Sequence, residues 1–338
     1  MLPSGDGLSR RSQSSLEGRY ASVSYVTENL TRGNSRLMAI ANILSCRSGA
    51  EGVGSVGIIW GGTPMHILHQ QRRRLIAAAL LCLICPCIVR AADETTFTKE
   101  QIKNFLLTAK IVKSDRSGKG ITHPWRLTLT DGTVTHDASF QGIDEHAAMK
   151  PLASGTEIGF VDSYKYNIAA YRLAELLGLD DMLPVYVERK WQGNPGSLSW
   201  WLPVKMDEEE RLKQKLRAPD LDSWNNQMSK IRVFDQLVDD TDANLTNVLI
   251  GEDWKIWRVD FSRAFRSHKD LKNAKENLVR CDRQLFAKLK TLDANELAEK
   301  TKHYLDKDDV KAVMARRDKI VEHFQKLISE KGESEVLY

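Results

Sequence analysis

The chain has 338 residues, enough for one large domain or two smaller ones, and its 42% hydrophobic and 28% charged content is ordinary for a globular protein. The formal net charge is only +4, with acids and bases interleaved, which excludes a dedicated nucleic-acid binder carrying a concentrated basic face. No internal repeat of solenoid or propeller period is present, so repeat architectures are set aside as well.

Residues 1–64 are rich in Ser, Gly and Arg and show no sustained periodicity. Arg72-Arg73-Arg74 then precedes an apolar run from Leu75 to Val89, followed by Arg90-Ala91-Ala92 and the acidic pair Asp93-Glu94. A basic start, a short apolar stretch and small residues at its end describe a secretory signal, and the run falls short of the roughly 20 residues that span a bilayer comfortably. Cleavage after Ala91 or Ala92 is expected, with a retained membrane anchor as the alternative. Met65 stands seven residues before Arg72 and gives a well-proportioned signal over residues 65–92. Residues 1–64 are then either an extension outside the translated protein or a disordered leader. Cys82, Cys85 and Cys87 sit inside the apolar run and Cys46 upstream of it. Cys82 and Cys85 form a C-x-x-C, but Leu, Ile and Ala surround it with no His or acid, which argues against a metal site. The bulky Leu81 and Ile84 argue against lipid attachment. Without the signal only Cys281 remains, so no intrachain disulfide can form, a state compatible with a bacterial periplasm.

Thr98 can cap a short helix or strand lead-in running to Leu107. Lys110 to Val112 has strand character, Ser114 to Gly120 is a turn-rich loop, and Trp125 to Thr130 alternates as a half-buried strand does. Asp131-Gly132 marks a hairpin turn, and Val134 to Gln141 returns. Asp162 or Ser163 can cap a helix that runs through Leu177 and stops at Gly178, with Tyr164, Ile168, Tyr171 and Leu176/Leu177 as its apolar stripe. Strands follow at Pro184–Glu188 and Ser197–Leu202, separated by a turn at Gly193-Asn194-Pro195-Gly196. Asp207 to Leu216 is highly charged and reads as a solvated helix. Ser223 to Leu237 is amphipathic, with Trp224, Met228, Ile231, Phe234 and Leu237 at helical spacing. Val248–Ile250, the turn Gly251-Glu252-Asp253 and Trp254–Val259 read as a β-hairpin, and helical, charged segments follow from Leu271. A strand-rich half with one main helix therefore precedes a mostly helical half, an α+β pattern.

That hairpin is flanked by chemistry. Asp242-Ala243-Asn244-Leu245-Thr246-Asn247 enters it and Asp260-Phe261 leaves it. Phosphoryl transfer needs a carboxylate beside the attacking hydroxyl and oxygen ligands that hold Mg²⁺ against the phosphates, and an Asp, an Asn five residues on and an Asp after a hairpin supply both. Asp242 to Asn247 resembles the kinase catalytic loop, and Asp260-Phe261-Ser262 resembles its D-F-G, thirteen residues after Asn247. Asp240-Thr241 stand where most kinases carry His-Arg, which gives the loop the flavour of the atypical groups: HipA-type bacterial kinases, phosphatidylinositol kinases and secretory-pathway casein-type kinases. Asn167 to Leu173, Leu176 to Leu179 and Pro184-Val185 resemble the helix and following strand of the HipA-type and secretory-pathway groups. The resemblance covers roughly residues 105 to 270.

It implies a two-lobed kinase-like fold, with an N-lobe over residues 95–203, a C-lobe over 204–330 and a tail at 331–338. It implies Asp242 as the catalytic base, Asn247 and Asp260 as metal ligands for Mg²⁺ or Mn²⁺, and ATP or another nucleotide as donor. Gly118, Lys119 and Gly120 would cover the phosphates, and Trp201, within Trp200-Trp201-Leu202-Pro203, would lie at the hinge near the base. The departures are as informative. The third strand offers Gln141 where a lysine is expected, and the helix offers Asn167 where its glutamate partner is expected. A Gln–Asn hydrogen bond can replace the ion pair in holding helix to sheet, and Lys119, Lys150 or Lys165 can stand in as the phosphate cation. Arg263 and Arg266 have two readings, as binders of a substrate phosphate or as partners of Asp239 and Asp240. His123, His136 and His146 read as surface or hydrogen-bonded residues.

The expectation is an exported phosphotransferase acting on a hydroxyl of an unknown protein, lipid or carbohydrate acceptor, with no nucleic-acid partner and membrane attachment only through an uncleaved signal. It would be periplasmic or secreted. The alternative is a pseudokinase or binding module of the same fold, favoured by the missing ion pair and by the low ATP content of a periplasm. Transfer of another nucleotide fragment, such as adenylylation, is a third reading.

Overall fold

The computed structural model describes residues 97–116, 124–152 and 155–338. The signal segment, all four upstream cysteines, Gly118, Lys119, Gly120 and His123 lie outside the described residues. Among the described residues no helix is long and apolar enough to cross a membrane.

The first element is helix α1 (Lys99–Thr108), opened by a capping box in which Thr98 Oγ1 accepts from Gln101 N and Gln101 Oε1 accepts from Thr98 N. Its far end is closed from elsewhere: Arg189 donates to the carbonyls of Leu106 and Ala109, both at 2.7 Å. An antiparallel sheet follows, built from β1 (Lys110–Arg116), β2 (Trp125–Thr130), β3 (Thr135–Gln141), β6 (Tyr186–Trp191) and β7 (Asn194–Trp200) in the order β1-β2-β3-β7-β6. Its alternation decides the rest of the molecule. Leu127, Leu129, Ala138, Phe140 and Leu198 face the core, so Arg126, Thr128, Asp137, Ser139, Gln141, Ser197 and Ser199 are sent to the opposite face. The turn between β6 and β7 is Gln192-Gly193, both at positive φ, rather than the expected 193–196. Asn194, Pro195 and Gly196 already pair with β6, because two left-handed residues close a hairpin tightly. Gly196 is needed there: a Cβ would meet the Phe140 ring at 2.5 Å and the Gln141 carbonyl at 2.6 Å.

Between β3 and the main helix the structure inserts a two-stranded hairpin for which no element is expected, β4 (Asp144–Leu152) and β5 (Gly155–Ser163). Its opposed residues Met149 and Ile158 are 67% and 78% exposed, so burial leaves no periodic mark in this stretch. Helix α2 (Tyr164–Leu177) starts at Ser163, whose Oγ accepts from Lys165 N, and stops at Gly178 in the left-handed conformation (φ 69°), as its sequence signals require. It is buried beyond one stripe, since Tyr166, Asn167, Ala169, Ala170, Leu173 and Ala174 are covered too. The sheet and α1 pack on one side of it, and the later helices α6 (Arg283–Thr291) and α7 (Ala294–Thr301) on the other.

The second lobe opens with β8 (Met206–Asp207), which adds a third strand to the expected hairpin of β9 (Val248–Ile250) and β10 (Ile256–Arg258). Helix α3 (Glu208–Lys213) is not a freely solvated helix: Glu208 and Arg211 are buried and paired at 2.5 Å, with the Arg211 guanidinium over Trp224. Helix α4 (Leu221–Val238) buries the expected stripe, and Trp254 packs edge-on against Trp224. After the short α5 (Ala274–Asn277), α6 and α7, the long α8 (Lys307–Lys331) places the fully buried Arg316 against the carbonyls of Leu237, Arg266 and His268. The last residues pack against the lobe as well. Beyond the turn of helix α9 (Glu333–Val336), Leu337 bridges Cys281 and Tyr338 Oη donates to the Asn226 carbonyl at 2.6 Å. The architecture is a strand-rich N-lobe joined to a helical C-lobe, as the sequence pattern implies.

Candidate active site

The polar face of the five-stranded sheet and the β8–β9 floor enclose a cleft of about 980 Å³. Residues 201–205 join β7 to β8 and so form the hinge, fastened by Trp201 N to the Asp137 carbonyl at 3.1 Å and by Lys205 N to the Ile250 carbonyl at 2.8 Å. Gln141, Trp201, Asn247 and Asp260 all line this cleft. Arg126 lies over the Trp201 ring, 4.6 Å from its centroid, and donates to Asp137 at 2.7 Å. Leu202, Val204, Met206 and Leu249 give the hinge end apolar surface, while Thr128, Ser139, Ser197 and Ser199 give the roof hydroxyls. These hydroxyls and Arg126 are not among the site residues that the sequence motifs point to. Their signal is the period-two polar face of β2, β3 and β7.

Two segments are zipped together to make the floor. Helix α4 ends with Asp239 in the left-handed conformation (φ 47°), and Phe265 N donates to the Val238 carbonyl at 2.6 Å. Thr241 N and Oγ1 both donate to the Arg263 carbonyl, at 3.3 and 3.1 Å. Asn247 Nδ2 donates to the Asp242 carbonyl at 3.3 Å, and Val259 N to the Asn247 carbonyl at 3.0 Å. Asp242, Asn247 and Asp260 are thereby brought onto neighbouring turns, although Asp242 itself does not line the cleft. Asp260 has φ +59°, a conformation that costs a non-glycine residue on the order of 1–3 kcal/mol and persists where the surroundings enforce it.

Arg258 enforces it. This guanidinium is 1% exposed, donates to Asp235 Oδ1 at 3.1 Å, pairs with Asp240, and donates to the carbonyl of Val259, the residue before Asp260. Asp240 in turn accepts from Asp242 N at 2.9 Å. Burial pushes the Asp240 carboxyl up to about 7 against the pull of Arg258, with the charges of Asp235 and Asp260 adding to the rise. A folded value above the ordinary 3.8 means that the folded state binds more protons between the two. The contribution to stability is therefore fully present below about pH 4 and is lost as the pH rises through about 7. Urea midpoints at pH 5 and pH 8 are expected to fall more for the wild type than for Asp240→Asn; parallel profiles would refute this.

The replacement of the usual ion pair is visible as a relay. Asn167, 1% exposed, donates from Nδ2 to Gln141 Oε1 at 2.6 Å and toward Ser197 Oγ at 3.5 Å, and its Oδ1 accepts from Phe261 N at 2.6 Å. One neutral amide thus connects β3, α2 and the turn after Asp260. Asn167→Ala would strand a buried backbone N–H and is expected to cost about 1–3 kcal/mol in urea unfolding. Asn167→Asp, which keeps the acceptor, should recover part of the loss.

Two of the expected phosphate cations are placed elsewhere. Lys165 pairs with Asp144 at 2.8 Å and Lys150 with Glu145 at 2.5 Å, and neither lines the cleft. Arg263 and Arg266 do not pair with the Asp239–Asp240 loop. Both bind Glu157 on β5, because that hairpin lies against the segment after Asp260, and Asp239 takes His268 and Lys272 instead. His136 stacks on Trp200 with centroids 3.5 Å apart, and burial lowers its pKa. His146 is exposed and hydrogen-bonded to Asp144. The cations along the cleft are Lys113, Arg116, Arg126 and Lys205, engaged by Asp115, the Trp125 ring, Asp137 and Glu252.

The residues present fit a hard divalent cation. Among the described residues neither Asp242 nor Asp260 has an ion-pair partner, whereas Asp235, Asp239 and Asp240 are all paired. Among the described residues the Asp260 side chain accepts only from Ser262 N, at 3.5 Å. Among the described residues no cluster of three or more His, Cys, Asp or Glu could hold a metal, so a cation here would take Asp260, the Asn247 amide oxygen, waters and ligand oxygens, the set that suits Mg²⁺ or Mn²⁺.

No family model and no curated protein matches this chain in sequence. Solved structures do match in shape. A hydra Fam20 with sugar is 16% identical with a TM-score of 0.52, over 71% of this chain and 91% of that one. A Golgi casein kinase is 14% identical with a TM-score of 0.52, over 71% of this chain and 78% of that one. The fold is kinase-like, two-lobed with an antiparallel-sheet N-lobe and a helical C-lobe.

Proposed function

We propose that this chain is an exported kinase-like phosphotransferase that uses ATP or a related nucleotide, with Mg²⁺ or Mn²⁺, to phosphorylate a hydroxyl of a protein, lipid or carbohydrate. The observation that carries the reading is a pair of carboxylates without cation partners among the described residues, Asp260 lining a kinase-shaped cleft beside Asn247 and Asp242 on the adjoining turn. In this reading Asp242 orients the acceptor hydroxyl and takes up its proton. Asn247 and Asp260 hold the cation, which when bound neutralises phosphate charge. Trp201 and the apolar hinge surface take the base, Gln141 and Asn167 set the distance between sheet and helix, and Gly118, Lys119 and Gly120 approach the phosphates.

The test is transfer from γ-labelled ATP with Mn²⁺, to the chain itself, to water or to candidate acceptors. Asp242→Asn should lower the rate by about 10²–10⁴, the usual worth of a positioned base, while leaving nucleotide binding in place. Absence of turnover in a wild-type protein that binds Mn²⁺ and ATP would favour the second reading, a nucleotide-binding pseudokinase. The specific observation behind that reading is the neutral Gln141–Asn167 pair, which contributes no positive charge to a phosphate. Export is tested separately: the secreted chain should begin near Ala92.

A further inference from the structure

Asn167 has both ends of its amide engaged, by Gln141 and Phe261, and is not free to act as a ligand. Asn247 and Asp260 alone would leave the cation one protein carboxylate. A second lies close by. Asp162, near the end of β5, is 7% exposed, and its Oδ1 has no hydrogen-bond partner among the described residues. The backbone sets it beside the Asp260 turn, because Ser163 N donates to the Ser262 carbonyl at 2.9 Å. The Asp162 carboxylate takes a side-chain hydrogen bond from Ser262, two residues after Asp260. The cations in reach are committed to other acids, Lys150 to Glu145 and Arg263 to Glu157. A buried carboxylate close to a second one is costly unless a cation or a proton lies between them.

We infer that Asp162 supplies the second carboxylate of the divalent-cation site, completing with Asp260 and Asn247 an all-oxygen donor set. The inference rests on the nucleotide–metal reading of the cleft. The donor set is one that Mg²⁺ or Mn²⁺ accepts and that lacks the nitrogen and sulfur ligands zinc favours.

The experiment uses the full chain and follows the thermal midpoint as Mn²⁺ is titrated at fixed ATP, for the wild type, Asp162→Asn, Asp162→Glu and Asp260→Asn. Asp162→Asn should weaken Mn²⁺ tenfold or more, as Asp260→Asn does, while its metal-free midpoint stays level or rises because a repelling charge is gone. Asp162→Glu should keep most of the Mn²⁺ response. Wild-type Mn²⁺ affinity in Asp162→Asn, beside a loss in Asp260→Asn, would overturn the role of Asp162 and leave the nucleotide–metal reading intact. A lower metal-free midpoint in Asp162→Asn would overturn it too, by showing a purely structural carboxylate. No Mn²⁺ response in the wild type would remove both.

Discussion

Asp260→Ala is expected to remove most of the stabilisation that ATP with Mg²⁺ or Mn²⁺ confers on the wild-type protein. A ligand present at a hundred times its Kd adds about 2.7 kcal/mol to the folded state. For a domain of this size that is a rise of roughly 5–10 °C in thermal midpoint. The effect should be large because Asp260 is the cleft-lining carboxylate without an ion-pair partner among the described residues. Alanine also tolerates the left-handed backbone at this position poorly. Asp260→Asn is therefore the cleaner variant, since Asn accepts positive φ and removes only the charge. Metal-dependent stabilisation at wild-type metal concentrations in both variants would refute a cation site at Asp260. A wild type that gives no shift with any nucleotide or metal would leave a kinase-shaped binding module.

The second large effect is expected at Arg258. Arg258→Met would leave Asp235 and Asp240 buried without their shared cation and the Val259 carbonyl without its donor. Breaking a buried pair from one side costs about 3–5 kcal/mol, which corresponds to a drop on the order of 10 °C here. The loss should be visible in urea unfolding without any ligand. Combining Arg258→Met with Asp240→Asn should cost less than the sum of the two single changes, because the second removes the charge that the first strands. Strict additivity would mean that Arg258 and Asp240 do not depend on each other. The same network joins the backbone of Asp242 to the residue before Asp260, so Arg258→Met should also weaken any nucleotide response.

Much of this molecule is legible along the chain. The signals at Ser163 and Gly178 bound α2 because a cap and a left-handed stop act within a few residues. The stripe from Trp224 to Leu237 reads as α4 because all five of its residues are buried on one side. The Gln141–Asn167 contact is legible from the paired replacement of two charges by amides, and it is present at 2.6 Å. The β4–β5 hairpin is not legible, since it is mostly exposed and no burial pattern marks its strands. The short α3 misleads because its charges mask a buried Glu208–Arg211 pair.

What the sequence determined by itself is the order of the elements, their caps and the spacing that puts an Asp, an Asn and an Asp around one hairpin. Tertiary structure decided which charges meet. It sent Arg263 and Arg266 to Glu157 rather than to Asp239 and Asp240, gave Asp240 to Arg258, and set Asp162 beside the Asp260 turn. Periodicity, capping and turn chemistry act over a few residues and leave their mark in order along the chain. An ion pair between residues a hundred positions apart depends on how whole elements are laid against one another, and burial then makes each such meeting costly to undo.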